Sequence, residues 1–421
     1  MWLTFLPQAL LRQPKRVGKP GRGLVAQRFN HLVKGDWGQL ITLWEKDKMA
    51  SQEAKKFKRV RDKRKDLDNL DLKSIQAVNL IAHGQVSKAA NRINSFGVGD
   101  IADPVIMSQV RDKYPERGRS LPETVSWGKP IDNLKGLRDA LLNLERGKSP
   151  GTGGLRAEFL IILAEMMTEQ QMESFEDFGL RYLSGDLPVW FYEVWLSVMT
   201  VPLFKNEKLE AVRPIGIRNP VVREFHKAVV VQNKTALVEF FEPEQVAMSM
   251  SGGGKLVFSI RMLAEDKPEF VVKLDMKNAF NEVSRASIIE ALQEEASLQH
   301  LAWHAAVTLA PSCGLETGGS RWGGSSEGTA QGDPLSAPYF NIAWHKYVRE
   351  LNKTLQDNGG MAKFGMDDGY AIGPPEVFFP AIEKIAQDVE QNCLLKWGKK
   401  VRQKSSPGVV HCHQSQPLDE H

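Results

Sequence analysis

Cysteine is scarce: three residues in 421, Cys313, Cys393 and Cys412, too few and too scattered for a disulfide framework, which points to a reducing compartment. His411-Cys412-His413 has no second ligand pair at a usable spacing, which argues against a zinc motif there. Long apolar runs are missing, so no segment reaches the length needed to cross a bilayer. The opening Met1–Leu6 is broken by charges and prolines too soon for a signal-peptide core. No internal repeat stands out. Ser251-Gly252-Gly253-Gly254-Lys255 is not a phosphate-binding Walker loop, because Ser249 stands where the first glycine belongs and Leu256 where Ser or Thr belongs. These absences exclude a disulfide scaffold, a membrane-spanning protein and a P-loop nucleotidase, and leave an intracellular protein as the expectation.

What is present is ordinary in bulk and uneven in detail. The apolar and charged fractions, 42% and 25%, are those of a globular protein of two or three domains. The net charge is +4, yet residues 1–75 hold 18 Lys and Arg against 8 Asp and Glu, leaving 37 against 43 in the remainder. Lys55, Lys56, Lys58, Arg59, Arg61, Lys63, Arg64 and Lys65 form a dense run, which fits a nuclear address, a nucleic-acid contact or a solvated helix face. Ile75 to Ile93 has helical spacing interrupted by Gly84, and reads as a helical hairpin. Residues 94–130, rich in Gly, Pro and Asp, read as a linker. From Ile131 to Val201 the pattern is mostly helical: Leu134, Leu137, Leu141, Leu142 and Leu144 suit one helix closed by Gly147, and Trp190, Phe191, Trp195 and Val198 suit a core.

Near position 200 the pattern changes to strands. Ser197–Phe204 and Val212–Ile217 read as extended, with a helix from Val221 to Phe241 after them. Phe270–Asp275 is a strand that ends on a carboxylate, followed by a helix with Ser287 and Glu290 as a capping box. Gly328–Ser336 places flexible glycines and Gln331 before a helix, with Asp333 as its N-cap, Pro334 in its first turn and Tyr339, Ala343, Tyr347 and Leu351 on one face. Gly365-Met366-Asp367-Asp368-Gly369 is a hairpin tip, and Phe378, Ile382, Ile385 and Val389 mark a last helix. Adjacent acids repel one another unless a cation stands before them. With Asp275 at a neighbouring sheet edge, Asp367 and Asp368 supply an oxygen ligand set suited to two Mg2+ ions.

Leu274-Asp275-Met276-Lys277-Asn278-Ala279-Phe280-Asn281, Gln331-Gly332-Asp333-Pro334-Leu335-Ser336 and Met366-Asp367-Asp368-Gly369 resemble the palm motifs of reverse transcriptases, closest in flavour to those of non-LTR retrotransposons. Arg213-Pro214-Ile215 resembles the finger segment ahead of that palm, and Ser149–Leu160 the loop and helix upstream of it. The resemblance implies an α+β fold: right-hand polymerase fingers and palm over 129–400, a basic and mostly helical extension over 1–128, and a polar tail over 401–421 in which no thumb is expected. It implies RNA-directed DNA polymerase activity on an RNA template and DNA primer with deoxynucleoside triphosphates, in the nucleus, with no membrane and no protein partner specified.

Carried over by position, Asp275, Asp367 and Asp368 would be the catalytic, metal-binding acids for two Mg2+ ions, or Mn2+ in their place. Arg213 with Lys205 would meet the triphosphate, and Gln331 and Gly332 would lie against the sugar. Phe280 would be the steric gate that excludes a 2′-hydroxyl, and Lys399 or Lys400 would be the late lysine. Gly365 stands where the family keeps an aromatic residue. Two alternatives remain: a catalytically silent RNA-binding remnant, and an RNA-dependent RNA polymerase, against which Phe280 and Gln331 argue.

Overall fold

The computed structural model describes residues 96–397 apart from Gly147, 206–208, 267–269 and 318–319, together with parts of 27–45 and Val78. The basic run Lys55–Lys65, the helical hairpin of 75–93 (Val78 apart), Lys399, Lys400 and the tail lie outside the described residues.

The expected linker carries its own helix. Asp103 accepts from the Val105 amide at 2.8 Å and Pro104 follows, so capping residue and proline together start α1 (Pro104–Arg111). Ile106 and Val110 of α1 pack with Val212. Beyond α1 the chain is a strap. Arg117 donates to the Ser326 and Ala310 carbonyls, and Arg119 meets the Glu290 carboxylate at 3.0 Å and the Asn392 carbonyl at 2.8 Å. Helices α2 (Leu137–Leu142), α3 (Ala157–Met166), α4 (Glu169–Ser184) and α5 (Val189–Trp195) follow. Leu134 is buried ahead of α2, which is shorter than the leucine spacing suggested. Thr168 and Gln171 close a reciprocal capping box on α4. Trp190, expected in the core, is 58% exposed, while its neighbours Phe191 and Tyr192 are buried.

Strands β1 (Val198–Phe204) and β2 (Val212–Arg218) pair antiparallel, as the extended pattern suggested. The expected single helix to Phe241 is two, α6 (Pro220–Gln232) and α7 (Lys234–Phe241). Asn233 breaks them, its amide donating to the Val229 and Pro130 carbonyls in place of continued helix. The glycine triplet opens helix α8 (Gly252–Asp266), and Gly252 has no space for a Cβ, which would fall 1.8 Å from the Val246 carbonyl oxygen.

Then come β3 (Phe270–Lys277), the short α9 (Ala279–Glu282), α10 (Arg285–Glu294) and α11 (Ala302–Leu309). Ser284, not Ser287, caps α10, and Glu290 turns to Arg119 instead of completing a capping box. Strands β4 (Cys313–Thr317) and β5 (Ser320–Ser325) precede the long α12 (Ser336–Gln356), β6 (Met361–Gly365), β7 (Asp368–Gly373), α13 (Pro375–Cys393) and β8 (Lys396–Trp397). Asp333 is not the N-cap of α12, which begins at Ser336 after Leu335.

The strands form two four-stranded sheets, ordered β2-β1-β4-β5 and β6-β7-β3-β8. The second is wholly antiparallel, and the first has one parallel pair, β1 with β4. Behind the second sheet lies an apolar layer in which Trp344, Phe340, Phe364, Phe378 and Leu274 are all nearly inaccessible. Trp344 stands edge-on to Phe364 at 4.9 Å, so α12 meets β6 through the aromatic two residues from the hairpin tip. The molecule is a mixed helix-and-sheet fold with mainly antiparallel sheets. Among the described residues no helix is long and apolar enough to cross a membrane.

Candidate active site

Alternation along β3 decides which side chains face outward. Leu274 and Met276 are buried, while Lys273, Asp275 and Lys277 are exposed on the other face. The β3–β7 register sets Asp275 directly opposite Asp368, so two of the three acids share one face of one strand pair. Gly365 pairs with Asp368, which leaves Met366 and Asp367 as a two-residue loop. Met366 takes the left-handed conformation, φ 68°, that tight hairpins need at a loop position. Asn278, three residues after Asp275, is left-handed as well at φ 52°. Such backbone is costly for residues other than glycine and persists only where the surroundings enforce it.

The two glycines beside the acids differ. A Cβ on Gly369 would lie 2.1 Å from the Phe364 ring, so that position must be glycine for β7 to close over Phe364. A Cβ on Gly365 would meet only Leu256 of α8, at 3.4 Å. The volume beside Gly365 is filled in part by α8.

The charges around the acids are coupled. Asp367 is pushed above the ordinary carboxylate range by burial first, then by the charges of Asp368 and Asp275, with Arg213 opposing. Lys205 is pulled below the ordinary lysine range by burial, Lys113 and Arg213, with Asp275 opposing. The acids of the second sheet and the cations of the first therefore share one electrostatic field. Lys113, Lys205 and Arg213 have no carboxylate within ion-pair distance among the described residues. Lys113 was not singled out in the sequence, where it looks like one charge of a linker. Its carbonyl accepts from the Asn278 side chain at 2.9 Å, which ties the strap to the end of β3.

The three acids are not drawn into one ligand set. Among the described residues no group of three or more His, Cys, Asp or Glu side chains stands close enough to hold an ion. Mutual repulsion is the physical reason, and Lys273 takes up Asp368 at 2.9 Å. That pair holds the Lys273 ammonium above its ordinary range, its hydrogen bond to Asp368 being the first cause. Both side chains are about half exposed, so the pair is worth at most about 1 kcal/mol, little enough for a divalent ion to displace. Asp275 and Asp367 offer oxygen donors alone, and the Asp275 charge acts on Asp367. This donor chemistry fits a hard divalent ion, with Asp368 joining once Lys273 releases it.

Gln331 lies on the loop before α12, half-buried, with its carbonyl Oε1 buried and without a hydrogen-bond partner. Gly332, φ 92°, would bring a Cβ within 2.9 Å of the Gly216 carbonyl oxygen, so the turn is pressed against β2. Phe280 is half-buried, its ring centroid 4.9 Å from Phe340, and its carbonyl accepts from the Thr329 amide at 2.6 Å. It thus joins the Gln331 loop to the segment after Asp275. Asp333, expected as a cap, is instead buried between Arg218 and His226, with Oδ2 2.6 Å from the arginine Nε and Oδ1 2.8 Å from the histidine Nδ1. His226 and Arg218 hold its carboxyl well below the ordinary range despite complete burial. Arg218 and His226 carried no signal in the sequence beyond an ordinary strand end and helix.

Lys205, Arg213, Asp275, Phe280, Gln331, Gly332, Asp367 and Asp368 all fall in one stretch, whereas Lys113 precedes it. Residues 204–403 match the family model for reverse transcriptase, RNA-dependent DNA polymerase, and over that stretch the chain is similar to a reverse transcriptase domain.

Proposed function

We propose that the chain is an RNA-directed DNA polymerase of non-LTR retrotransposon type, with the first sheet acting as fingers and the second as palm. The single observation that carries the reading is the juxtaposition of Asp275, Asp367 and Asp368 with cations that, among the described residues, have no carboxylate within ion-pair distance. Asp275 and Asp368 stand opposite each other, Asp367 sits at the turn, and Lys205 and Arg213 lie within the same field. A nucleoside triphosphate and a primer end are what such an array would accept. Arg213, Lys205 and Lys113 would take the polyphosphate, supplying charge-assisted contacts that fix its orientation. Gln331 would lie along the sugar, and Phe280 below it would leave no space for a 2′-hydroxyl.

Asp275 and Asp367, with Asp368, would hold two divalent ions. When bound, these activate the attacking hydroxyl and stabilise the leaving oxygen. The protein's own part is to hold Asp275 and Asp368 across one strand pair and Asp367 at the adjoining turn, with cations nearby to offset the repulsion that an ion would otherwise relieve. Retroelement origin and nuclear location belong to the same proposal, as does nucleic-acid contact through the basic run Lys55–Lys65.

The Lys273–Asp368 pair favours a second reading, a silent RNA-binding remnant, because a carboxylate satisfied by lysine has less need of an ion. Primer extension on an RNA template decides between them. With Mg2+, the wild type should incorporate dATP in preference to ATP, and the Asp367→Ala/Asp368→Ala variant should lose extension. Equal extension by both proteins would leave the remnant reading, and preference for ATP would mark an RNA polymerase.

A further inference from the structure

Burial alternates along β2. Val212, Pro214, Gly216 and Arg218 face inward, whereas Arg213 is exposed on the other face. One strand therefore presents a cation to the cleft and, five residues later, another to the interior. The interior one meets Asp333. Arg218 Nε lies 2.6 Å from Oδ2 without its N–H aimed at that oxygen, a close charge contact, while Nη1 donates to the Leu196 carbonyl. His226 of α6 reaches both carboxylate oxygens through Nδ1, at 2.8 and 2.9 Å, and the Leu335 amide donates to Oδ1 at 3.0 Å. On its far side the His226 Nε2 is 2.9 Å from the Tyr182 hydroxyl of α4. One proton on Nδ1 satisfies the whole chain: Tyr182 donates to His226, and His226 donates to Asp333.

Three charged or chargeable groups, none more than 7% exposed, are an expensive way to fill a core. Apolar side chains of like volume are commonly as stable or more so, so stability alone does not account for this cluster. What ions add is direction. Asp333 is two residues from Gln331, with left-handed Gly332 between them pressed on Gly216. Gly216 in turn lies between Arg213 and Arg218 on β2, and a Cβ there would come within 3.4 Å of the Gln331 carbonyl oxygen. The turn that carries Gln331 is thus clamped, by charge on one side and backbone contact on the other, to the strand that carries Arg213.

We propose that Asp333, acting with Arg218 and His226, is a positioning residue that locks the Gln331–Gly332 turn to β2, so that Arg213 and Gln331 meet the nucleotide as one unit. The proposal rests on the nucleotide-polymerising reading given above. The clamp itself is readable without activity, by hydrogen exchange of the peptide spanning 328–336.

Two Asp333 variants test it, with two others for comparison. Asp333→Asn removes the charge and keeps the shape. Arg218→Met/Asp333→Leu replaces the pair with apolar bulk and stays folded if the asparagine variant does not. His226→Gln retains a donor toward Asp333, and Val229→Ala, in the buried face of α6, is the control for plain loss of packing. The expected result is exchange in 328–336 faster by roughly tenfold in the folded Asp333 variants. Alongside it, kcat/KM for dNTP should fall about 100-fold, carried mainly by KM. His226→Gln should retain most of both wild-type values, and Val229→Ala should change neither. Unchanged exchange in a folded Arg218→Met/Asp333→Leu protein overturns the clamp. So does exchange that rises equally in the Val229→Ala control. A wild type that incorporates no nucleotide overturns the polymerase reading instead, while the exchange result still decides the clamp.

Discussion

Gly365 and Gly369 flank the same pair of acids and carry opposite constraints. The Phe364 ring occupies the space a Cβ would need at 369, whereas position 365 has only the end of Leu256 nearby. Gly369→Ala should therefore cost about 1–3 kcal/mol through forced movement of β7 or Phe364, and should reduce extension because Asp368 moves with its strand. Gly365→Ala should stay within about 0.5 kcal/mol of wild type. Paired urea melts check both, and equal losses at the two positions would refute the distinction. Lys273 poses a second question at this scale. It pairs with Asp368, one of the three acids that the proposed function makes ion ligands. Lys273→Gln should tighten Mn2+ binding by roughly tenfold, since one nearby positive charge is removed from the ion's field. Calorimetric titration in the absence of nucleotide reads this directly, and unchanged affinity would mean that Asp368 is not a ligand.

At the scale of elements, periodicity carried most of what was legible in the sequence. The extended run 270–275 was legible as a strand delivering the Asp275 carboxylate, and the i+4 spacing of Tyr339, Ala343, Tyr347 and Leu351 gave the buried face of α12, because burial on one face is a local pattern. What stayed hidden depends on partners distant in sequence. Asp333 reads locally as a cap, and only Arg218 and His226, more than a hundred residues earlier, make it a buried anion. Ser287 and Glu290 have the spacing of a capping box, yet Arg119 claims Glu290 from the far end of the strap. Beyond α1 the strap has the composition of a linker, and its arginine side chains bond to other elements of the fold. Arg117 and Arg119 are the clearest cases. Either one changed to alanine should cost about 2 kcal/mol, since each loses hydrogen bonds from a charged donor to carbonyl or carboxylate acceptors. The check is a lower urea midpoint with an unchanged slope. A shift of less than about 0.5 kcal/mol would mean that the strap merely lies on the surface.

For the molecule as a whole, pH is set to act through histidines buried where α7 and α12 meet and beside α4. His345 is 1% exposed, donates from Nδ1 to Gln245 Oε1 over 2.8 Å, and packs its ring 4.6 Å from that of Phe240. Burial, reinforced by Arg349, pulls it down to about 4. His304 is displaced in the same direction by burial and by His226. In the unfolded chain these imidazoles take up protons near pH 6.5. Between pH 6.5 and 4 the unfolded state therefore binds protons that folded His345 refuses, and stability falls as pH falls through that window. Above pH 6.5 the contribution is complete, and below about 4 no further loss comes from this residue. The loss from His345 amounts to about 3 kcal/mol across the window. His345→Gln keeps a hydrogen-bonding group without a titration, so its urea midpoint should fall less steeply from pH 6.5 to 4 than that of the wild type. Parallel slopes in the two proteins would show that the His345 pocket admits the proton.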